Sequence, residues 1–187
     1  GHPEVEGTMG QVNPDEVTLI ETVDDARHVT PPEGANLAFA TQTTLSVDDT
    51  AEIISVLQFR FPDISGPRGE DICYATTNRQ KAVKDIAGAV DLMLVIGAEN
   101  SSNSKRLVEV AKLAGAKAAF LIADKDAIDW SLIDEADHIG LSAGASAPET
   151  LVEDVVAALR QRYQIDVSEH GKIRETVNFK LPAILAS

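Results

Sequence analysis

Cys73 is the only cysteine in a chain of 187 residues. It ends a short apolar run, and Thr76, Thr77 and Asn78 follow almost at once, where the pattern reads as a helix start. Two chemistries suit a thiol in that position. One is an inert, buried small hydrophobe, the ordinary fate of a free cysteine and the default here. The other is a thiolate ligand, favoured beside the free N–H groups of a helix N-terminus.

The polar residues around Cys73 are not unique to it. Four turns share their composition: Thr41 to Ser46, Cys73 to Asn78, Glu99 to Ser104 and Ser142 to Ser146. Each is placed between an expected strand and an expected helix. In a parallel α/β sheet such turns lie together at the carboxyl ends of the strands, where ligands bind. Each would offer unpaired backbone N–H groups, the positive end of a helix dipole and several hydroxyls, which together suit a phosphate or diphosphate. Ser and Thr are also simply good helix caps. Ser101, Ser102 and Asn103 supply more polar groups than capping requires, so four such turns on one rim point toward anion binding. His2 and Glu4, two residues apart, could set a proton donor beside that anion. His28, His138 and His170 are scattered and suggest no catalytic grouping. Neither a GxGxxG nor a GxxxxGK[ST] pattern occurs, and no Cys/His array has zinc spacing.

Alternating strands and helices must position these turns. Val17 to Ile20 reads as a short strand and Asp24 to His28 as a helical turn before Pro31 and Pro32. Leu37 to Thr41 reads as a strand, and Ser46 to Asp49 as a capping box. The following helix carries Ile53, Leu57 and Phe61 on one face and stops before Pro62. Residues 65–69 read as a linker. Ile72 to Ala75 is expected to be a short buried strand, with a second capping box from Thr77 to Gln80 and a helix burying Val83, Ile86 and Ala87. Leu92 to Ile96 is a continuous apolar run of the kind found inside a parallel sheet. A helix with Leu107, Val110, Ala111 and Ala114 is stopped by Gly115. Ala118 to Ile122 and His138 to Leu141 are further strands, with a weaker segment at Trp130 to Ile133 between them. Ser146 to Glu149 reads as a third capping box, opening a helix that buries Leu151, Val155 and Leu159. Thr176 to Phe179 is one more strand candidate. The alternation over residues 70–163 predicts a parallel sheet covered on both faces.

Composition narrows the class. Thirty acidic against sixteen basic residues give a formal charge of −14, with 44% hydrophobic residues and a mean hydropathy of −0.05. This describes a globular chain large enough for a proper core. So acidic a surface disfavours nucleic acid and anionic membranes as partners. No apolar run is long enough for a membrane span and nothing resembles a signal peptide. A single cysteine fits a reducing compartment.

Several stretches resemble one family. Residues 1–11 (Gly-His-Pro-Glu-Val-Glu-Gly-Thr-Met-Gly-Gln), 41–50, 71–80 (Asp-Ile-Cys-Tyr-Ala-Thr-Thr-Asn-Arg-Gln), 100–104 (Asn-Ser-Ser-Asn-Ser) and 143–148 look like the motifs of the 4-hydroxy-3-methylbut-2-enyl diphosphate reductases, in the family's order. These enzymes perform the last step of the non-mevalonate isoprenoid pathway. The resemblance implies three α/β domains arranged as a trefoil around a central [4Fe-4S] cluster, one cysteine from each. Cys73 then matches the third ligand. His2 matches a diphosphate-contacting histidine, Glu4 the acid that relays protons to the substrate hydroxyl, and Thr43 the threonine beside that hydroxyl. Ser101, Ser102, Asn103 and Ser146 match residues that hold the diphosphate.

By the same resemblance, residues 1–69 are the remainder of the middle domain and 70–147 the third domain. Residues 148–187 are a C-terminal helix and tail returning toward the first domain. The family's other two cluster cysteines have no counterpart here, so Gly1 is expected to be a cut and the chain alone is expected to be inactive. The implied partners are an allylic diphosphate and ferredoxin or flavodoxin, in a monomer or homodimer of the bacterial cytoplasm or a plastid. The rival readings are a non-redox α/β module binding a phosphorylated metabolite, and, with less support, a nucleotide-binding regulator.

Overall fold

A computed structural model describes residues 2–67 and 71–171. Its centre is a three-stranded parallel sheet of β1 (Leu92–Ile96), β2 (Ala118–Ile122) and β3 (Ile139–Ala143) in the order β2-β1-β3. β1 is buried along its whole length because both of its edges and both of its faces are covered. Its alternating side chains divide the core in two. Met93 and Val95 face Val83 and Ala87 of α4 (Tyr74–Ala87) and Leu107, Val110 and Ala111 of α5 (Ser102–Leu113). Leu92, Leu94 and Ile96 face Ile133 of α6 (Trp130–Asp134) and Val155 and Leu159 of α7 (Glu149–Arg162). The expected α/β unit, three layers with helices on both faces, is therefore present.

Residues 2–67 form a thinner helical arm of α1 (Pro3–Met9), α2 (Val23–His28) and α3 (Val47–Arg60). α2 packs on α3, with Ala26 and Leu57 buried and Arg60 Nη1 donating to the Ala26 carbonyl at 2.6 Å. α3 leaves Phe59 87% exposed.

Two glycines close the chain at the top of the sheet. Gly97 follows β1, Gly144 follows β3, and both abut Ser104 in the first turn of α5. A Cβ on Gly97 would stand 2.2 Å from Ser104 Oγ and 2.6 Å from Ser104 Cβ, and one on Gly144 would stand 2.2 Å from Ser104 Oγ. At the other end of α5, the expected glycine stop takes a definite form. Gly115 has φ +103, its N–H reaches Lys112 O at 3.2 Å, and Ala116 N–H reaches Ala111 O at 3.0 Å. That is a Schellman cap.

The lower ends of the strands are registered by Asp91. Its carboxylate accepts from Lys117 Nζ, from His138 N at 2.9 Å and from Asp137 N at 3.1 Å. Its own backbone joins both neighbours, donating to His138 O at 2.8 Å and accepting from Ala118 N at 3.1 Å.

Several expected elements differ. Val17 to Ile20 is not a strand, since no partner strand lies beside it among the described residues. The Leu37 to Thr41 strand shrinks to a single parallel bridge, Ala38 to Ser65, for the same reason. Ile72 to Ala75 is not a strand, and Thr77 is not a cap. Cys73 is the N-cap and α4 has begun by Tyr74. The cause is a buried helical stripe, Thr76, Gln80, Val83 and Ala87, whose first two members are polar and so hide its start. The third capping box also fails, because Pro148 takes the N-cap position and Ser146 lies before it. Trp130 to Asp134 is a short helix, capped by Asp129. The strand candidate at residues 176–179 lies outside the described residues.

Two outcomes are expected in the intact protein. Gly97→Ala forces α5 away from β1 and lowers stability by about 1–3 kcal/mol, measured by urea denaturation. Lys117, and then the His138 N–H, hold the Asp91 carboxyl down to about 2 from its ordinary 3.8. Its contribution is therefore complete above pH 3.8 and is lost as pH falls through 2. Asp91→Asn lowers Tm at neutral pH, and the gap from the unaltered protein closes in that acid window.

Candidate functional site

The four polar turns meet. His2, Thr43, Thr44, Cys73, Thr76, Ser101, Ser102, Asn103, Ala145 and Ser146 line one cleft of about 330 Å³. Residues drawn from the starts of α1, α3, α4, α5 and α7 thus share one rim. Every cleft side chain except the histidine and the thiol is a hydroxyl, an amide or a methyl group. A larger hollow of about 460 Å³, lined by Arg27, Ser55, Val56, Phe59 and Arg60, lies on α2 and α3. It gathers no comparable set of donors, and Arg60 is engaged with Ala26, so the chemistry belongs to the smaller cleft.

The α5 start is the most developed part. Ser101 is its N-cap, its Oγ accepting from Ser104 N at 3.3 Å and paired with Ser104 Oγ at 2.9 Å. With two donors already pointed at it, the Ser101 hydroxyl keeps its own proton for the cleft. Asn103 is only 6% exposed, and neither its Nδ2 nor its Oδ1 has a hydrogen-bond partner among the described residues. An unpaired buried amide costs about 1–3 kcal/mol. Asn103 lines the cleft, where Nδ2 is available as a donor to an anionic oxygen while Oδ1, an acceptor, would stay unpaired by an anion.

His2 closes one side. Its Nδ1 accepts from Glu4 N at 3.3 Å, so the neutral ring carries its proton on Nε2, which lies 2.6 Å from Ser102 Oγ. In that tautomer Nε2 donates and the Ser102 proton is free to turn outward. Glu4 does not itself line the cleft. Its carboxylate accepts from Thr43 on both oxygens, from Thr43 N at 3.1 Å and from Thr43 Oγ1 at 3.3 Å. The pair brings an acid within one hydroxyl of the cleft.

Cys73 departs from the default. It is exposed, makes no capping bond and lines the cleft, so it is not an inert core thiol. Its backbone N–H donates to Thr43 O at 3.2 Å, which ties the thiol to the Glu4–Thr43 pair. Among the described residues no three His, Cys, Asp or Glu side chains are grouped to hold a metal. His28, His138 and His170 are surface residues away from the cleft. Thr76 was read only as part of a polar helix start, and Thr44 and the Ser104–Gly97–Gly144 contact were not singled out from sequence. A glycine directly after each of two apolar strands was the available signal for the last.

Comparison with known proteins gives the family of the chain. A family model described as LytB protein matches residues 1–160. A 4-hydroxy-3-methylbut-2-enyl diphosphate reductase from Hyphomonas neptunium is 60% identical over 186 residues, covering 100% of this chain and 59% of that protein. One from Gluconobacter oxydans is 55% identical, covering 100% of this chain and 55% of that protein. The solved structure of the E-1-hydroxy-2-methyl-but-2-enyl-4-diphosphate reductase from Plasmodium falciparum superposes with a TM-score of 0.88 at 33% identity. It covers 97% of this chain and 57% of that one. The chain spans little more than half the length of these relatives. With its motifs gathered in one cleft and its sequence matched from residue 1 to 160, the chain belongs to the LytB protein family.

Proposed function

We propose that this chain forms the diphosphate- and hydroxyl-binding portion of a reductase that removes the hydroxyl from (E)-4-hydroxy-3-methylbut-2-enyl diphosphate, giving isopentenyl and dimethylallyl diphosphate. The observation that carries the reading is the buried, unpaired amide of Asn103, a residue that lines a cleft of convergent donors. Ser101, Ser102, Asn103, Ser146 and His2 hold the diphosphate. The chain has a formal charge of −14, so the anion is bound by neutral donors and helix starts. Each helix start contributes roughly half a positive charge. Local dipoles decide over net charge here because exposed carboxylates more than about 10 Å away are largely screened at 0.1 M salt.

Overall, two electrons and two protons enter, one C–O bond breaks and water leaves. Thr43 holds the substrate hydroxyl by its side chain. Glu4, an acceptor from Thr43 on both oxygens, takes up one of the two entering protons and passes it to the departing oxygen to give water, while the second proton goes to carbon. The direct Thr43 Oγ1 to Glu4 Oε2 contact is the path for that proton. When bound, a [4Fe-4S] cluster supplies the electrons and a Lewis-acidic iron. Cys73 gives one of its three thiolates, the other two coming from outside these 187 residues. The three-domain trefoil, the division of this chain at about residues 69 and 147, a ferredoxin or flavodoxin donor and a cytoplasmic or plastid setting belong to the same proposal.

Two experiments on the intact, anaerobically purified protein follow. Glu4→Gln lowers kcat by at least a hundredfold and leaves the cluster absorption and electron paramagnetic spectra unchanged. Normal turnover in that variant would remove Glu4 from proton delivery. Asn103→Leu raises KM at least tenfold and leaves Tm equal or higher, because a buried unpaired amide is replaced by an apolar side chain of similar size. An unchanged KM would contradict the anion reading of the cleft.

A further inference from the structure

Gln80 is a polar side chain 1% exposed, on the second turn of α4, with no role in the chemistry described above. Its Oε1 accepts from Val47 N at 3.1 Å and its Nε2 donates to Leu45 O at 2.7 Å. Ser46, between those two residues, is extended, with φ −64 and ψ 129. A carbonyl and an N–H two residues apart on an extended segment are the pair that a neighbouring strand satisfies in a parallel ladder. Among the described residues no strand lies there, and one carboxamide takes its place.

The consequence lies upstream. The segment from Thr41 to Val47 is fastened to the segment from Asp71 to Gln80 at three successive points. Thr41 N donates to Asp71 Oδ2 at 2.6 Å, Cys73 N donates to Thr43 O at 3.2 Å, and Gln80 grips Leu45 and Val47. Thr43 and Cys73 are thus set against each other on two separate pieces of chain. Gln80 is the fastening that is a side chain at both contacts and lies deepest. Val47 is also the first residue of α3, so its N–H has no partner within the helix. Releasing Gln80 frees that N–H and the Leu45 carbonyl together and leaves the loop carrying Thr43 held to the Cys73 segment by the Thr41–Asp71 and Cys73–Thr43 bonds alone. The α5 donors at Ser101 to Asn103 make no hydrogen bond to Gln80 and stay where they are.

We propose that Gln80 is a positioning residue, a side-chain substitute for a β-strand peptide that, by holding Leu45 and Val47, steadies the direct Cys73–Thr43 contact and so the placement of the Thr43–Glu4 pair beside Cys73. The proposal rests on the function given above, and predicts that the hydroxyl-handling half of the site depends on Gln80 while the anion-holding half does not. The test uses the intact, cluster-loaded protein with Gln80→Met, which loses both contacts at similar volume, and Gln80→Glu, which keeps the acceptor to Val47. Turnover per intact cluster, the dissociation constant of inorganic pyrophosphate and amide hydrogen exchange at Val47 and Ser102 are measured. Gln80→Met is expected to lower kcat at least tenfold, hold pyrophosphate affinity within twofold, and speed exchange at Val47 at least tenfold but not at Ser102. Gln80→Glu falls between it and the unaltered protein. Turnover within twofold of normal in Gln80→Met would overturn the proposal. So would a parallel loss of pyrophosphate affinity, which marks general unfolding of the site. Failure of the unaltered protein to bind pyrophosphate would instead overturn the reading of the cleft itself.

Discussion

The contact of Ser104 with Gly97 and Gly144 is the constraint on which the site depends. Two strand ends and one helix start converge on a single serine, with no room for a Cβ on either glycine. Because β1 and β3 are adjacent in the sheet, the turns that follow them reach α5 together. Ser104 in turn fixes Ser101 by two interactions, and Asn103 is carried into the cleft beside it. The hydrophobic layers beneath are ordinary in composition. They matter to function because they hold the strand ends in register, and that register brings the hydroxyls to one place.

The arm formed by residues 2–67 reaches the same cleft by polar contacts. His2 meets Ser102, Glu4 meets Thr43, and the Thr41–Val47 segment is bound to the chain around Cys73. Hydrogen bonds, the buried Gln80 amide and the exposed Lys84–Asp48 and Arg106–Asp49 ion pairs make these joins, each worth about 1 kcal/mol or less net. Joins of that kind set direction more than they set stability. The division suits a site in which a rigid α/β unit holds an anion while a lighter arm brings an acid to the reacting hydroxyl.

What the sequence disclosed follows from the strength of each pattern. Leu92 to Ile96 and Ala118 to Ile122 are unbroken apolar runs, and both are strands where expected. Gly115 was legible as a helix stop because left-handed backbone favours glycine. The start of α4 was not legible, since Thr76 and Gln80 occupy the buried stripe and look like surface residues in one dimension. The same polarity concealed Gln80, whose partners lie 33 and 35 positions away. Cys73 was placed in the core by its apolar neighbours, Ile72 and Tyr74, but the helix begins one residue later and leaves the thiol exposed. The four turns were grouped correctly from composition alone. Their grouping survived the loss of two of the expected strands because helix starts, not strand ends, supply the donors.

The central claim is that neutral donors at convergent helix starts bind a diphosphate in a strongly acidic chain. Diffraction from anaerobic crystals of the intact protein grown with inorganic pyrophosphate tests it most directly. The account predicts phosphate oxygens within about 2.7–3.2 Å of Asn103 Nδ2 and of the hydroxyls of Ser101, Ser102 and Ser146, with His2 beside them. Pyrophosphate bound only to surface lysines or arginines, with the Asn103 amide still unpaired, would contradict it.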